Sequence, residues 1–262
     1  MAYIKAEDIV VDFPIYDQNR SLRHAVLINP MKSVFSGQAK MVGGTITKQG
    51  GNRVVIKALD DINFELVNGD RLGIIGHNGA GKSTMLKMLA GIYEPTGGHL
   101  TVEGSLTPVF DLMEGYDPNA SGLAAVKTRA LLMGLREQEA DSLIREMAEF
   151  TELGEYLEMP IRTYSQGMLV RLAFGMATSV RPDILIMDEA IGAGDAAFME
   201  KASERFESFM TSAGIVVVAS HDDNIIRRWC NKAMLLHKGR MVHFGDVEGA
   251  FNHYHALLHG EA

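Results

Sequence analysis

Short apolar runs alternate with longer helical patterns along this chain. The hydrophobic pattern predicts strands at residues 3–11, 54–66, 71–75, 184–187 and 215–219. The last two segments are continuously apolar, which is typical of strands buried inside a sheet. A hairpin is predicted at 233–244, with its turn at Lys238 and Gly239.

Apolar residues at helical spacing predict an acidic helical insert from about residue 120 to residue 157. Further helices are predicted from the end of the glycine-rich segment 76–84 to Ala90, and from 165 to 179. Segment 21–29 also has helical spacing, and Pro30 ends it. The glycine-rich segment 36–52 favours a mobile loop.

Charge is distributed unevenly along the 262 residues, whose net charge is −8. From residue 20 to residue 59 the chain has seven basic residues and no acidic one, so the remainder carries −15. The overall acidity argues against non-specific nucleic-acid binding, which depends on Lys and Arg. The basic segment is interpreted in two ways: as an amphipathic element near anionic lipid or a pyrophosphate-linked glycan, or as a solvated loop.

The composition is that of a globular protein, with 47% hydrophobic residues and a single cysteine. The apolar runs are far shorter than the roughly 18 residues that a membrane-spanning helix needs. The N-terminus lacks the pattern of a secretory signal, and Cys230 has no second cysteine for an internal disulfide. We therefore expect a reduced, cytoplasmic setting.

A glycine-rich motif, Gly76-x-x-x-x-Gly81-Lys82-Ser83, connects strand 71–75 to the helix after it. Glycines there let backbone N–H groups surround a phosphate, and the helix N-terminus adds partial positive charge. We expect Lys82 to reach the β- and γ-phosphates of a nucleotide and the Ser83 hydroxyl to bind Mg²⁺. A glycine-rich turn without a ligand is the alternative interpretation.

Two carboxylates, Asp188 and Glu189, end the apolar strand 184–187. Asp188 is predicted to hold Mg²⁺, which keeps much of its water shell and accepts few protein ligands. Because neighbouring side chains of an extended chain alternate in direction, Glu189 is predicted to polarise the attacking water instead. Acidic residues at strand ends are also common simply because those ends meet solvent.

His221 and Ser165 are two further candidates. His221 follows strand 215–219, so it lies at the same predicted sheet edge as Gly76 and Asp188, where open α/β sheets bind ligands. We expect it to contact the γ-phosphate. Ser165 precedes a helix, which is explained equally by a helix N-cap and by an anion site at the exposed N-terminus.

In order along the chain, these motifs resemble the nucleotide-binding subunits of ABC transporters. The similarity is carried by residues 76–84, Tyr164-Ser-Gln-Gly-Met168, Asp188-Glu189, Gly194-Asp195 and Ser220-His-Asp222. Arg171-Leu-Ala-Phe174 and Gly194-Asp-Ala-Ala-Phe198 are similar to ATPases that export O-antigen, capsule or teichoic-acid polysaccharide. The resemblance implies an α/β fold with a P-loop NTPase (RecA-like) core and mixed sheet, an N-terminal antiparallel β part and an inserted α-helical subdomain.

The resemblance also implies boundaries and partners. The core comprises residues 1–112 and 180–262, with the basic insertion at 20–53, and the helical subdomain comprises 113–179. Two copies form a head-to-tail homodimer around two ATP molecules, on the cytoplasmic face of the inner membrane beside integral permease subunits. A lipid-linked glycan near the basic insertion is a hypothesis, and a nucleic-acid partner is not expected.

Roles in the nucleotide site follow from the same resemblance. Ser165 and Gly167 contact the γ-phosphate held by the other subunit, Asp195 is the D-loop residue, and Phe13 or Tyr16 stacks on adenine. The family's glutamine before the helical insert has no counterpart in residues 107–114, so Asp111 or Glu114 takes that role. The residues that bind ATP in the phosphate loop are Gly76, Asn78, Gly79, Ala80, Gly81, Lys82, Ser83 and Thr84.

Other functions of the same motif are weighed against these residues. A soluble mechanical ATPase of the same class predicts a coiled-coil insertion, a second cassette or a basic face over the whole protein, and the chain has only its local basic segment. An ABC ATPase for another lipid or a drug is also compatible with the motifs. A GTPase requires Asn-Lys-x-Asp, but Asn231-Lys232-Ala233 is followed by Met234, and a kinase leaves Ser165 and His221 unexplained.

Overall fold

The computed structural model describes residues 1–15, 45–49, 53–109, 116–188 and 196–259. The strands are β1 (Tyr3–Ile15), β2 (Thr45–Gln49), β3 (Arg53–Val67), β4 (Arg71–Ile75), β5 (Gly97–Glu103), β6 (Leu106–Val109), β7 (Ile184–Asp188), β8 (Ile215–Ala219), β9 (Lys232–His237) and β10 (Arg240–Gly245). The helices are α1 (Lys82–Leu89), α2 (Gly122–Leu132), α3 (Glu137–Thr151), α4 (Gln166–Ala177), α5 (Ala196–Ser212), α6 (Asp223–Trp229) and α7 (Val247–His259). Two 3₁₀ turns, Gly154–Glu158 and Ile161–Thr163, connect α3 to α4.

The strands form two sheets of different kinds. An antiparallel sheet has the order β2-β3-β1-β5, and a mixed sheet has the order β10-β9-β4-β8-β7-β6. In the mixed sheet β4, β6, β7, β8 and β9 run parallel to their neighbours, while β10 returns antiparallel to β9. The predicted mixed sheet with an antiparallel N-terminal part is therefore confirmed.

Alternating side chains place the core on both faces of the mixed sheet. Ile215, Val217 and Ala219 of β8 pack with α1 and the antiparallel sheet, whereas Val216 and Val218 pack against α5 and α7 on the other face. A strand whose two faces are both covered reads as a continuous apolar run, because neither set of side chains meets water. This burial explains why the β8 sequence has no polar alternation.

The helical insert forms its own packed group. Helices α2, α3 and α4 share a buried apolar cluster that includes Val126, Met147 and Leu172. Ser121 caps α2 and Ser165 caps α4, each accepting a hydrogen bond from the backbone N–H three residues later. The helices predicted in this region are confirmed, although the predicted 120–157 segment is divided between two helices.

The prediction of a loop throughout 36–52 is wrong for Thr45–Gln49, which pairs with β3 as the antiparallel strand β2. Pairs of glycines flank this segment and dominated the prediction. Thr45-Ile46-Thr47 nevertheless has the β-branched character that favours strands, and β3 is long enough to offer it an edge. The helix predicted at 21–29 lies outside the described residues.

Within the part of the chain that the structure describes, each helix is too short or too polar to cross a bilayer.

Candidate functional site

The glycine-rich motif forms the turn between β4 and α1. Gly76, Gly79 and Gly81 all have positive φ, at 148°, 78° and 114°. Residues other than glycine rarely adopt such φ values, so the glycines allow the backbone to form this compact loop. The loop ends at the N-terminus of α1, where N–H groups and the helix dipole favour a negative charge.

Close packing adds a second reason for two of these glycines. A Cβ built on Gly81 would lie 2.9 Å from the carbonyl oxygen of Ala58, and one on Gly76 would meet the carbonyl oxygen of Leu236. Neither backbone oxygen can move without disturbing β3 or β9. The loop conformation is therefore fixed by both dihedral angle and space.

Lys82 extends back over the loop that precedes it. Its Nζ donates to the carbonyl oxygens of Gly76, at 2.7 Å, and of His77, at 3.2 Å, and the residue is only 8% exposed. A buried ammonium is costly unless it is hydrogen-bonded, and here the loop supplies the acceptors. The structure thus places a positive charge within the glycine-rich loop.

The β9–β10 turn supports the loop from one side. The Gly239 N–H donates to the carbonyl oxygen of Ala80 at 2.9 Å, and the Gly239 carbonyl accepts from the Asp60 N–H at 2.8 Å. A hydrogen bond from Lys57 lowers the pKa of Asp60, and Arg240 lowers it further, against an opposing effect of burial. Sequence analysis identified this turn but not its support of the loop, because only the fold brings residues 80 and 239 together.

Two histidines lie beside the loop. The rings of His77 and His237 meet edge to face, with centroids 5.0 Å apart. Burial lowers the pKa of His237, and the nearby His77 and Lys238 lower it further. The His237 ring is therefore biased toward its neutral form, and it contributes packing rather than charge next to the loop.

Asp188 and His221 lie at the carboxyl ends of two adjacent parallel strands, Asp188 as the last residue of β7 and His221 two residues after β8. Asp188, at the end of β7, is level with Ala219 of β8, which in turn is level with Ile74 of β4. His221 follows β8 and is exposed. Gly76, Asp188 and His221 thus share one edge of the mixed sheet, where open α/β sheets bind ligands.

Two residues with hydroxyl groups, Ser83 and Thr84, follow Lys82 in the first turn of α1. Ser83 is exposed at the start of the helix, and Thr84 is half-buried. Helix α1 packs against β7 and β8, the strands that lead to Asp188 and His221. Within the loop itself, Asn78 and Gly79 are exposed and Ala80 is buried.

Ser165 and Gly167 lie on the exposed start of α4, in the helical group rather than at the sheet edge. The Ser165 Oγ accepts from the Met168 N–H at 3.3 Å, so the predicted N-cap is present. A Cβ on Gly167 would have nothing within 4 Å. This helix N-terminus is therefore open to solvent and accessible to another molecule.

Phe13 is half-buried on β1 and meets Tyr93 edge to face, with ring centroids 5.2 Å apart. The other candidates from the sequence, which are Tyr16, Asp111, Glu114, Glu189 and Asp195, lie outside the described residues.

Comparison with known proteins identifies the family. The profile of the ABC transporter family matches residues 59–192. The chain is 43% identical over 234 residues to the O-antigen export system ATP-binding protein RfbE of Yersinia enterocolitica, covering 89% of this chain and 93% of that protein. It is 33% identical over 201 residues to the teichoic acids export ATP-binding protein TagH of Bacillus cereus, covering 77% of this chain but 36% of that longer protein.

Solved structures agree on the fold. The dimeric ATP-binding cassette MJ0796, in a post-hydrolysis state bound to ADP and Pi, matches with a TM-score of 0.64 at 19% sequence identity. The match covers 93% of this chain and 98% of that one. The similarity at this level of identity establishes the shared architecture.

Proposed function

The chain belongs to the ABC transporter family, and from that membership we propose that it is the ATP-hydrolysing subunit of an exporter of lipid-linked polysaccharide. One observation in the structure supports the nucleotide-binding part of this proposal most strongly. The Lys82 ammonium is held 2.7 Å from the Gly76 carbonyl oxygen, within a loop that opens onto the N-terminus of α1. Such an arrangement suits the phosphates of a nucleotide, which is ATP in this family.

The residues around this loop fit a nucleotide with Mg²⁺. The Ser83 hydroxyl and the Asp188 carboxylate are hard oxygen donors, the type that Mg²⁺ prefers. When bound, the ion neutralises part of the charge that develops on the phosphates. Loop amides from Gly76 to Gly81 and the Lys82 ammonium hold the phosphates, while Phe13 or Tyr16 stacks on adenine.

Hydrolysis then depends on two residues that follow β7 and β8 in the sequence. Glu189 accepts a proton from the attacking water, and His221 donates a hydrogen bond to the γ-phosphate. His221 is exposed after β8 and is thus placed to reach a ligand at this edge. The water is aligned by position rather than by covalent chemistry, because phosphoryl transfer needs mainly orientation and charge stabilisation.

A single copy supplies only half of each site. Ser165 and Gly167 are exposed at the start of α4, where they are available to a second subunit. We propose a head-to-tail homodimer in which these residues and Asp195 meet the γ-phosphate bound by the partner. Two ATP molecules then bridge two acidic subunits, and hydrolysis removes the bridge.

Transport requires a membrane partner. We propose that the protein lies on the cytoplasmic face of the inner membrane and that residues 113–179, the helical subdomain, contact integral permease subunits. The remaining core, 1–112 and 180–262, binds the nucleotide. Asp111 or Glu114 replaces the family's usual glutamine at the junction between them.

We propose that the basic insertion, residues 20–53, binds anionic lipid or the pyrophosphate of a lipid-linked glycan. Reversing the charge of Arg20, Arg23 and Lys32 is expected to reduce export while leaving the ATPase rate unchanged. The measurement is polysaccharide export in cells beside ATP turnover of the purified protein. Unchanged export would remove this role for the insertion.

The variant Glu189→Gln tests the proposed hydrolysis. The amide cannot accept the proton of the attacking water, so turnover is expected to fall by about two to four orders of magnitude. ATP binding is expected to persist because the phosphate loop is intact. Steady-state ATPase rates and equilibrium ATP binding check both expectations, and undiminished turnover would exclude Glu189 as the base.

A further inference from the structure

Three phenylalanines from three helices form one buried cluster. Phe150 of α3, Phe174 of α4 and Phe198 of α5 have ring centroids 5.4 to 6.3 Å apart. Each residue is 6% exposed or less. Phe198 meets the other two rings edge to face, and Phe150 and Phe174 are stacked, which are favourable aromatic geometries at these distances. The cluster thus joins α5 to the helical group at one point, which we call the aromatic joint.

An arginine of α4 covers one side of the joint. The Arg171 guanidinium lies 4.8 Å from the centroid of the Phe198 ring, and Nη1 donates to the carbonyl oxygen of Thr151 at 3.2 Å. One side chain therefore contacts α5 and the end of α3 while it is anchored on α4. A planar guanidinium can stack on a ring and donate at its edge at the same time.

Two cations of α5 cover the other side. Arg205 lies 4.4 Å from the Phe150 centroid, and it donates to Glu146 Oε1 at 2.6 Å and to Thr178 Oγ1 at 2.7 Å. Lys201 lies 5.7 Å from the same ring and donates to the carboxylate of Glu152 at 2.9 Å. These contacts reach α3 and the end of α4, so α5 is fastened to both helices.

The two helices fastened together begin at proposed functional residues. Helix α4 starts after Ser165, nine positions before Phe174, and α5 starts after Asp195, three positions before Phe198. The sequence motifs that end in Phe174 and Phe198 supply the joint, and the nucleotide site itself uses neither residue. Their place in the fold gives them a function of another kind.

We propose that the aromatic joint holds the start of α4, which carries Ser165, and the start of α5 in one rigid arrangement, so that the two helix starts approach the partner's nucleotide together. Phe150, Phe174, Phe198 and Arg171 are then positioning residues for ATP-driven dimerisation. This inference rests on the proposed function, because both ends act across the dimer. Close-packed rings suit such a role, since a packed cluster resists gradual deformation.

A buried phenylalanine could instead only stabilise the fold, and Phe209 separates the two possibilities. Phe209 lies on the same helix α5, is 4% exposed like Phe198, and packs in the cluster under the mixed sheet rather than in the joint. Substitution of either residue by leucine removes a similar buried ring. Only Phe198→Leu loosens α5 from α4.

The test measures ATP-dependent dimerisation in the Glu189→Gln background, by sedimentation in ATP and Mg²⁺. Phe198→Leu is expected to raise the dimer dissociation constant about tenfold, with the monomer's ATP affinity unchanged. Phe209→Leu is expected to stay within about twofold of the parent, although both variants lower the melting temperature. Arg171→Lys keeps the charge but loses the planar stack, and it provides a milder variant with a shift in the same direction.

Equal effects of Phe198→Leu and Phe209→Leu on the dimer, or a normal dimer in Phe198→Leu and Arg171→Lys, would overturn the inference. The parent Glu189→Gln protein could also fail to form an ATP-dependent dimer, which is distinguishable from the two outcomes above. That outcome would remove the proposed dimeric function, and the inference with it.

Discussion

Among the single residues of the proposed site, Lys82 carries a buried charge. Its ammonium is satisfied by the Gly76 and His77 carbonyl oxygens, so the fold tolerates a cation that an apolar site would expel. Phosphate oxygens are stronger acceptors for an ammonium than neutral carbonyls, because the hydrogen bonds are charge-assisted on both sides. The side chain that closes the loop is therefore the one proposed to bind the phosphates.

Substitution Lys82→Ala is expected to weaken ATP binding by about 2–3 kcal/mol, or roughly 30- to 150-fold, the usual contribution of hydrogen bonds to charged groups. Lys87→Ala is the matched control, because Lys87 lies on the same helix and its Nζ is 6.0 Å from the Tyr93 ring. Calorimetric titration with ATP compares the two. Similar losses in both variants would contradict the role of Lys82.

Single residues were also where sequence analysis was most specific. The spacing of Gly76, Gly81 and Lys82 predicted a turn between a strand and a helix, and in the structure both glycines have positive φ and the ammonium contacts the loop carbonyls. The support from Gly239 was missed, since residues 80 and 239 come together only when β9 pairs with β4. A motif predicts the local conformation, whereas a contact between distant residues depends on the topology of the fold.

Helix α4 shows how packing and function separate along one element. Its N-terminal Gly167 has open space around the position of a Cβ, while a Cβ on Gly175 would come within 2.9 Å of Met147 Sδ and 3.0 Å of Phe150 Cδ1. Neither Gly167 nor Gly175 has a positive φ. Gly175 is therefore required by packing, and the fold does not explain Gly167.

The variant Gly167→Ala is expected to stabilise the isolated subunit by about 0.5–1 kcal/mol, because alanine loses less backbone entropy in a helix. ATP turnover is nevertheless expected to fall, since the proposed site brings a partner's γ-phosphate against this position. Thermal unfolding and steady-state ATPase rates measure the two effects.

Gly175→Ala is the contrasting control in the same helix. It crowds Met147 and Phe150 and is expected to destabilise the subunit by about 1–3 kcal/mol. A loss of stability in Gly167→Ala, or full activity in that variant, would mean that Gly167 is a structural residue.

Elements were predicted according to how strongly their pattern was periodic. The buried strands β7 and β8 and the helices α2 to α4 follow from runs and spacing in the sequence. Strand β2 was not predicted because the flanking glycines favoured a loop more strongly than the three β-branched residues favoured a strand. Its pairing with β3 is a tertiary contact. Propensity is a weak guide wherever an available sheet edge decides the structure.

At the scale of the whole molecule, the described surface separates the two halves of the proposed site. The phosphate loop, Asp188 and His221 lie at the edge of the mixed sheet, while Ser165 and Gly167 lie on the exposed start of α4 in the helical group. One chain carries each half once. The fold was predictable to this level, but the pairing of subunits is a property that a single sequence expresses only through such divided motifs.

The most direct measurement of this account is dimer formation by the Glu189→Gln protein in ATP and Mg²⁺, with Ser165→Ala compared to Ser121→Ala. Both serines are N-caps with similar geometry, at 3.3 Å and 3.2 Å, so both variants lose a comparable cap, worth about 1 kcal/mol. We predict a dimer with two bound nucleotides that Ser165→Ala weakens and Ser121→Ala leaves intact. Equal dimerisation in both variants, or ATP bound by a protein that stays monomeric, would contradict a nucleotide shared between two subunits.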